Sequence, residues 1–274
     1  MAAKPWYIPE DAITNWSAGP LAAGGYGEVY TASYYGATVA VKQLYRNNNP
    51  NELVEFNREI DIWHGLSHPH ILQLLGACDT AVKPFMVSPF VPNGTLHSHF
   101  STAPAPRSIA EKIRLLYQVA SGMAYLHANN IVHGDLKSLN VLLDSAFNAV
   151  VADFGMSRTK HNSATMNRTR RSQPVGGTLS YMAPEMLDDE QPAGSSKSTD
   201  VYAFSIIIYE VMNNCRPVWV TVDGQPMRER IIEAQVVKGN RPKPVEGIPD
   251  DIWALIERCW HQEPGQRPKF PEIL

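Results

Sequence analysis

Up to about Thr95 apolar positions recur every second residue and glycines punctuate them, whereas beyond it they recur at helical spacing. This change predicts an α+β chain, a small strand-rich lobe carrying one main helix followed by a large, mainly helical lobe. In Val39-Ala40-Val41-Lys42 the two valines point to one face of a strand and Ala40 and Lys42 to the other. Leu53, Phe56, Ile60 and Trp63 follow helical spacing, so they predict a helix with one buried stripe that Gly65 can close. His68-Pro69-His70 then breaks the chain before the apolar run Ile71 to Leu75, and these histidines are read as structural rather than metal-binding. In the second part, Ile109 to His127 places Ile113, Leu116, Tyr117, Ala120 and Met123 on one stripe, ending before the turn-like Asn129-Asn130. Ser195 to Met212 starts with small polar residues and becomes apolar on nearly every side, as suits a central helix. The expected division is residues 1–88, a connection at 89–94, and residues 95–274. No internal repeat is apparent.

Composition narrows the class without naming a substrate. With 44% hydrophobic and 19% charged residues, a chain of 274 residues can bury a substantial core. A net charge of -3 gives no reason to expect a nucleic acid or an anionic membrane as partner. Cys78, Cys215 and Cys259 are odd in number and widely spaced, which suits reduced core thiols rather than a zinc motif or disulfide framework. The longest apolar run, Val201 to Met212, is short and interrupted by Glu210, so no membrane segment is expected and the chain is expected to be cytoplasmic.

The chemistry concentrates where Asp135 stands five residues before Asn140 and eighteen before Asp153-Phe154-Gly155. A carboxylate at Asp135 can accept a hydroxyl proton, Asn140 and Asp153 offer hard oxygen ligands suited to Mg²⁺, and Lys137 can neutralise a moving phosphoryl group. Either fragment alone reads as an ordinary turn; their order and spacing together point to phosphoryl transfer. Upstream, LAAGGYGEVY holds Ala22, Gly24, Gly25, Gly27 and Val29, where a glycine-rich hairpin lets backbone approach phosphate, although such a hairpin is also simply a tight turn. Ala40 is small enough to lie against adenine, Lys42 can reach phosphates, and Glu59 beside the helical stripe can orient Lys42.

Six motifs in order resemble the eukaryotic protein kinase catalytic domain over nearly the whole chain: the glycine loop with Gly24 and Gly27, Lys42, Glu59, His133-Gly134-Asp135 with Asn140, Asp153-Phe154-Gly155, and Ala183-Pro184-Glu185. The resemblance implies a single bilobal domain over 1–274 that uses ATP and Mg²⁺ on protein substrates. Asp200 opens the buried helix as in that family, and Arg267 resembles its terminal arginine, which would pair with Glu185. Trp6-Tyr7-Ile8-Pro9, His68-Pro69-His70-Ile71-Leu72 and Cys259-Trp260 are most similar to the tyrosine-kinase-like branch, which mostly phosphorylates serine and threonine. It further implies that Ser88 is the gatekeeper, that Pro89 offers only a carbonyl and Val91 an N–H to adenine, and that Leu142 covers the ring's opposite face. A small Ser88 predicts tolerance of bulky inhibitors.

Lys137 and Gly177-Thr178 resemble the serine/threonine pattern, so a short hydroxyl acceptor is expected. The segment between Gly155 and Ala183 reads as an activation loop, with Thr169 and Ser172 near Arg168, Arg170 and Arg171. Gly134 stands where many relatives carry a phosphate-clasping arginine, and Ala22 replaces the first family glycine. The expectation from Gly134 is that basal activity needs no loop phosphate. Two rivals remain open: a scaffold with the same fold but no catalysis, and a small-molecule phosphotransferase, which Lys137, Ala183-Pro184-Glu185 and Arg267 disfavour.

Overall fold

In a computed structural model of the chain, residues 4–24, 27–45, 50–154, 178–188 and 192–274 are described. The chain divides into two compact units, Met1–Pro92 and Asn93–Leu274. Gly25, Gly155, Gly177 and the loop residues Arg168, Thr169, Arg170, Arg171 and Ser172 lie outside the described residues.

Unit 1 is an antiparallel sheet with one helix. Its strands are β1 (Ile13–Thr14), β2 (Ala22–Gly24), β3 (Gly27–Tyr34), β4 (Ala37–Leu44), β5 (Gly76–Cys78) and β6 (Phe85–Pro89), with α1 (Pro50–His64) between β4 and β5. The order across the sheet is β1-β3-β4-β6-β5, and β2 pairs with β3. β3 turns into β4 through Tyr35 and Gly36, both at positive φ, the conformation a two-residue hairpin with the native strand twist needs. One sheet face is the core: Ala32, Val39, Val41, Phe85 and Val87 pack with Ile8, Ile13 and Cys78. The alternation of Val39 and Val41 thus sorts β4 as its sequence predicts.

The outer edge of β5 is covered by the start of the chain. Ile8 N donates to Ala77 O and Ala77 N to Trp6 O, each at 2.8 Å. Gly76 is required there, because a Cβ would come within 2.5 Å of Trp6 O. Trp6 is buried and its indole donates to Asp61 of α1 at 2.6 Å, while Lys4 pairs with Asp79 and reaches Asn57 of α1. α1 buries Phe56, Ile60 and Trp63 as expected, but Leu53 is exposed, since the stripe meets the sheet only from the second turn onward. Trp63 Nε1 donates to Leu72 O, fastening the helix to the apolar run. His68 is structural, its Nδ1 accepting from His70 N at 3.1 Å.

Unit 2 runs α2 (Leu96–Ser101), α3 (Ile109–Ala128), β7 (Val141–Leu143), β8 (Ala149–Val151), α4 (Lys197–Met212), α5 (Glu229–Val237), α6 (Asp250–Cys259) and α7 (Phe270–Ile273). A capping box of Ser196 and Thr199 opens α4, and every residue from Thr199 to Met212 is buried, which makes α4 the axis of the unit. The stripe expected on α3 is corrected: Ile113 and Tyr117 are exposed, and the buried face is Lys112, Leu115, Leu116, Val119, Ala120, Met123 and Leu126. The physical reason is Lys112. Its ammonium donates to Met212 O at 3.0 Å, at the carbonyl end of α4 where a cation is favoured, and this turns the helix by about one residue step. Burial lowers the Lys112 pKa.

Candidate functional site

In unit 1 the sheet face opposite the core gathers most of the residues expected to meet nucleotide. Register pairs Ala22 with Val29, Val29 with Lys42, Lys42 with Met86 and Ala40 with Ser88. Directly paired residues project to the same side, so Ala22, Val29, Ala40, Lys42 and Ser88 share one face. Ser88 is buried, while Ala40 and Lys42 are half-buried. Pro89 closes β6 opposite Val39, and Phe90 and Val91 follow, half-buried. Glu59 lies half-buried on α1. Gly24 pairs with Gly27 across the hairpin tip. Gly27 has a structural demand of its own, because a Cβ would sit 1.9 Å from Gln43 O on β4. Its identity is therefore set by strand packing before any ligand is considered.

In unit 2 the loop between α3 and β7 carries Asp135, Lys137 and Asn140. It is tied down at several points. Asp200, almost wholly buried at the start of α4, accepts from His133 N and Gly134 N, one on each carboxylate oxygen, both at 2.8 Å. Its Oδ2 also lies 2.8 Å from His127 Nε2. His133 is fully buried, and burial lowers its pKa against the pull of the Asp200, Asp135 and Asp153 charges. The neutral ring has a defined tautomer: Nδ1 accepts from Asp135 N at 3.3 Å, so the proton is on Nε2, 3.0 Å from Ala152 O. Ala152 N donates to Asn140 O at 2.8 Å. The loop and the strand leading to Asp153 are thereby joined by two hydrogen bonds.

These ties put the chemistry together. Lys137 Nζ lies 3.1 Å from Asp135 Oδ2, and Asn140 Nδ2 donates to Asp135 O at 2.8 Å and approaches its Oδ2 at 3.4 Å. Asp135 and Lys137 keep about a fifth of their side-chain surface exposed, at 23% and 18%, so both are reachable from solvent. Asp153 follows β8 in a left-handed conformation, φ 57°, with its side chain exposed, while Phe154 is buried against His133. An aspartate tolerates that backbone better than most residues. Leu142 sits half-buried on β7, paired with Val150. Further along, Arg267 and Glu185 form the expected pair in bidentate geometry, at 2.7 and 2.8 Å.

Sequence reasoning placed Asp200 only at a helix start and missed its role as the acceptor shared by the loop. The signal was an acid at the head of a helix otherwise apolar on all sides. Ser138, Tyr181 and Glu210, which hydrogen-bond in a line next to this loop, carried no local pattern.

Comparison with known proteins agrees with this arrangement. Serine/threonine-protein kinase CTR1 of Arabidopsis thaliana is 35% identical over 259 residues, covering 93% of this chain and 30% of the relative. Receptor-interacting serine/threonine-protein kinase 2 of Bos taurus is 34% identical over 271 residues, 93% of this chain and 49% of the relative. Dual specificity protein kinase shkB of Dictyostelium discoideum is 31% identical over 274 residues, 98% of this chain and 40% of the relative. The chain spans less than half the length of each of these three relatives. Residues 17–274 match the family described as protein tyrosine and serine/threonine kinase, and the likeness to CTR1 and to the receptor-interacting kinase agrees with the tyrosine-kinase-like branch. With the loop of Asp135, the sheet of Lys42 and the Arg267–Glu185 pair all inside that matched span, the chain belongs to the protein tyrosine and serine/threonine kinase family.

Proposed function

We propose that this chain transfers the γ-phosphoryl group of ATP to serine or threonine hydroxyls of protein substrates. The observation that carries the reading is the loop of Asp135, Lys137 and Asn140, held as one unit by Asp200. Asp135 would accept the proton of the attacking hydroxyl while orienting it. Lys137, already beside that carboxylate, would stabilise the charge on the transferred group. Lys42 and the glycine hairpin would hold the phosphates, with Glu59 orienting Lys42, and Ser88, Pro89, Val91, Ala40 and Leu142 are assigned to adenine.

Family membership implies ATP use with a divalent metal, and Mg²⁺ is the ion we assign. The donor set fits it. Asn140 spends its amide N–H on Asp135, which turns the carbonyl end of the side chain away from that bond, and Asp153 presents an exposed carboxylate. Two oxygens of this kind suit an ion that keeps waters and takes the rest of its shell from phosphate. When bound, the ion would neutralise charge on the phosphate oxygens.

The test is transfer of labelled phosphate from ATP to generic protein substrates by wild type and Asp135→Asn, with phosphoamino-acid analysis. Label on serine and threonine, lost in the variant, supports the reading. Nucleotide binding without any transfer by wild type would replace it with a scaffold. One relative's name, dual specificity protein kinase shkB, favours a second reading in which tyrosine is also labelled. We also place the protein in the cytoplasm, in keeping with three free, buried cysteines; cell fractionation tests that placement.

A further inference from the structure

One line of polar groups in unit 2 has no part in the roles assigned above. Glu210 is buried within α4. Tyr181, at the end of the turn Thr178–Tyr181, donates its hydroxyl proton to Glu210 Oε2 at 2.5 Å. Ser138 Oγ lies 3.1 Å from the same Tyr181 oxygen and 3.5 Å from His97 Nδ1 on α2. Ser138 is fully buried and follows Lys137 directly in the chain. Four residues from four separate elements therefore make one hydrogen-bonded line that ends beside the catalytic loop.

Such a line has two proton orders. With Glu210 ionised, Tyr181 donates to the carboxylate and Ser138 donates to Tyr181. With Glu210 protonated, the carboxyl donates to Tyr181, Tyr181 to Ser138, and Ser138 to His97 Nδ1, burial lowering the imidazole pKa and so favouring the neutral ring that can accept. Burial raises the Glu210 pKa to about 7, opposed by hydrogen bonds from Tyr181 and Ser138. Among the described residues the other titratable groups bearing on Glu210 are Tyr181, held well above the ordinary tyrosine range by burial and by Glu210, and Cys215, raised by burial and by the same carboxylate. Behind Cys215 stands the Lys112 ammonium of α3.

We infer that Tyr181 is a positioning residue that carries the hydrogen-bond order at Glu210 to Ser138, and so sets the pose of Lys137 beside Asp135. The inference rests on the kinase reading for its activity readout alone. The experiment uses the full chain as wild type, Glu210→Gln, Tyr181→Phe and Ser138→Ala. Melting temperature is followed between about pH 5 and 8, and kcat with KM for ATP and for protein substrate are followed over the same range.

A carboxyl whose folded pKa is raised above its unfolded value of 4.5 adds stability at low pH that is lost as pH rises toward about 7. The expected result is a fall in melting temperature across that window in wild type, relative to Glu210→Gln. In Tyr181→Phe, kcat should drop about tenfold, the scale of one lost hydrogen bond, with KM for ATP unchanged. The step of kcat near neutral pH should vanish in both Glu210→Gln and Tyr181→Phe. Identical pH profiles of kcat in wild type and Tyr181→Phe would overturn the inference, and that comparison decides if Glu210→Gln does not fold. If wild type itself transfers no phosphate, the kinase reading fails, and the melting comparison alone decides whether Glu210 controls the line.

Discussion

Replacing Arg267 with alanine tests whether unit 2 depends on one buried guanidinium. All five of its N–H groups are used: Nε on His261 O at 2.8 Å, Nη1 on Glu185 and Ser198 O, Nη2 on Glu185 and Gln262 O. The side chain is fully buried, and its charge lies over the Tyr202 ring at 5.2 Å. Arg267→Ala strands the Glu185 carboxylate, itself 19% exposed, and leaves three backbone carbonyls without this donor. Removing one partner of a buried pair costs roughly 3–5 kcal/mol. At roughly 2–4 °C per kcal/mol for a chain of this size, the transition of unit 2 should fall by roughly 6–20 °C. Calorimetry measures it, with Glu185→Gln and the double variant completing a cycle. Glu185→Gln should cost less, because an amide oxygen still accepts one of the two bonds. A melting temperature for Arg267→Ala within about 2 °C of wild type would show that the pair carries little of the unit's stability.

Two further substitutions test the site's framework. Asp200→Asn keeps the shape but turns an NH₂ group toward either His133 N–H or Gly134 N–H, since both carboxylate oxygens now accept. It should cost about 1–3 kcal/mol and speed hydrogen exchange at the Gly134 amide, and unchanged exchange there would refute the anchoring role. Gly27→Ala drives a Cβ to 1.9 Å from Gln43 O, so β3 and β4 must separate locally even without nucleotide. Its melting temperature should drop in the ligand-free protein, whereas a loss confined to ATP affinity would assign Gly27 to phosphate alone.

Much of this molecule was legible where one physical rule acts alone. The alternation of Val39 and Val41 decided the faces of β4, and an unbroken apolar run predicted α4 as the central helix. Arg267 and Glu185 were paired through family likeness rather than pattern, and the bidentate bond bears that out. The α3 stripe was misjudged because hydropathy counts Lys112 as a surface residue, while a helix end supplied the carbonyl that lets it be buried. Leu53 failed for the complementary reason: periodicity does not tell where a helix starts to meet its sheet. Gly27 was read through phosphate, yet its constraint comes from a backbone carbonyl on a partner strand, a contact that only the register reveals. Asp200, Tyr181, Ser138 and Glu210 come together from distant stretches of chain, and no local spacing announces them.

The segment from Lys4 to Ile8 bears on how this protein can be shortened. The family match starts at residue 17, yet Trp6 and Ile8 are among the most buried side chains of unit 1. Cutting the chain at that boundary would strip the last strand of the sheet of its covering, leaving bare amide and carbonyl groups next to newly wetted apolar surface. Such an edge invites pairing with a second copy, so the trimmed protein should aggregate although every residue of the matched span is retained.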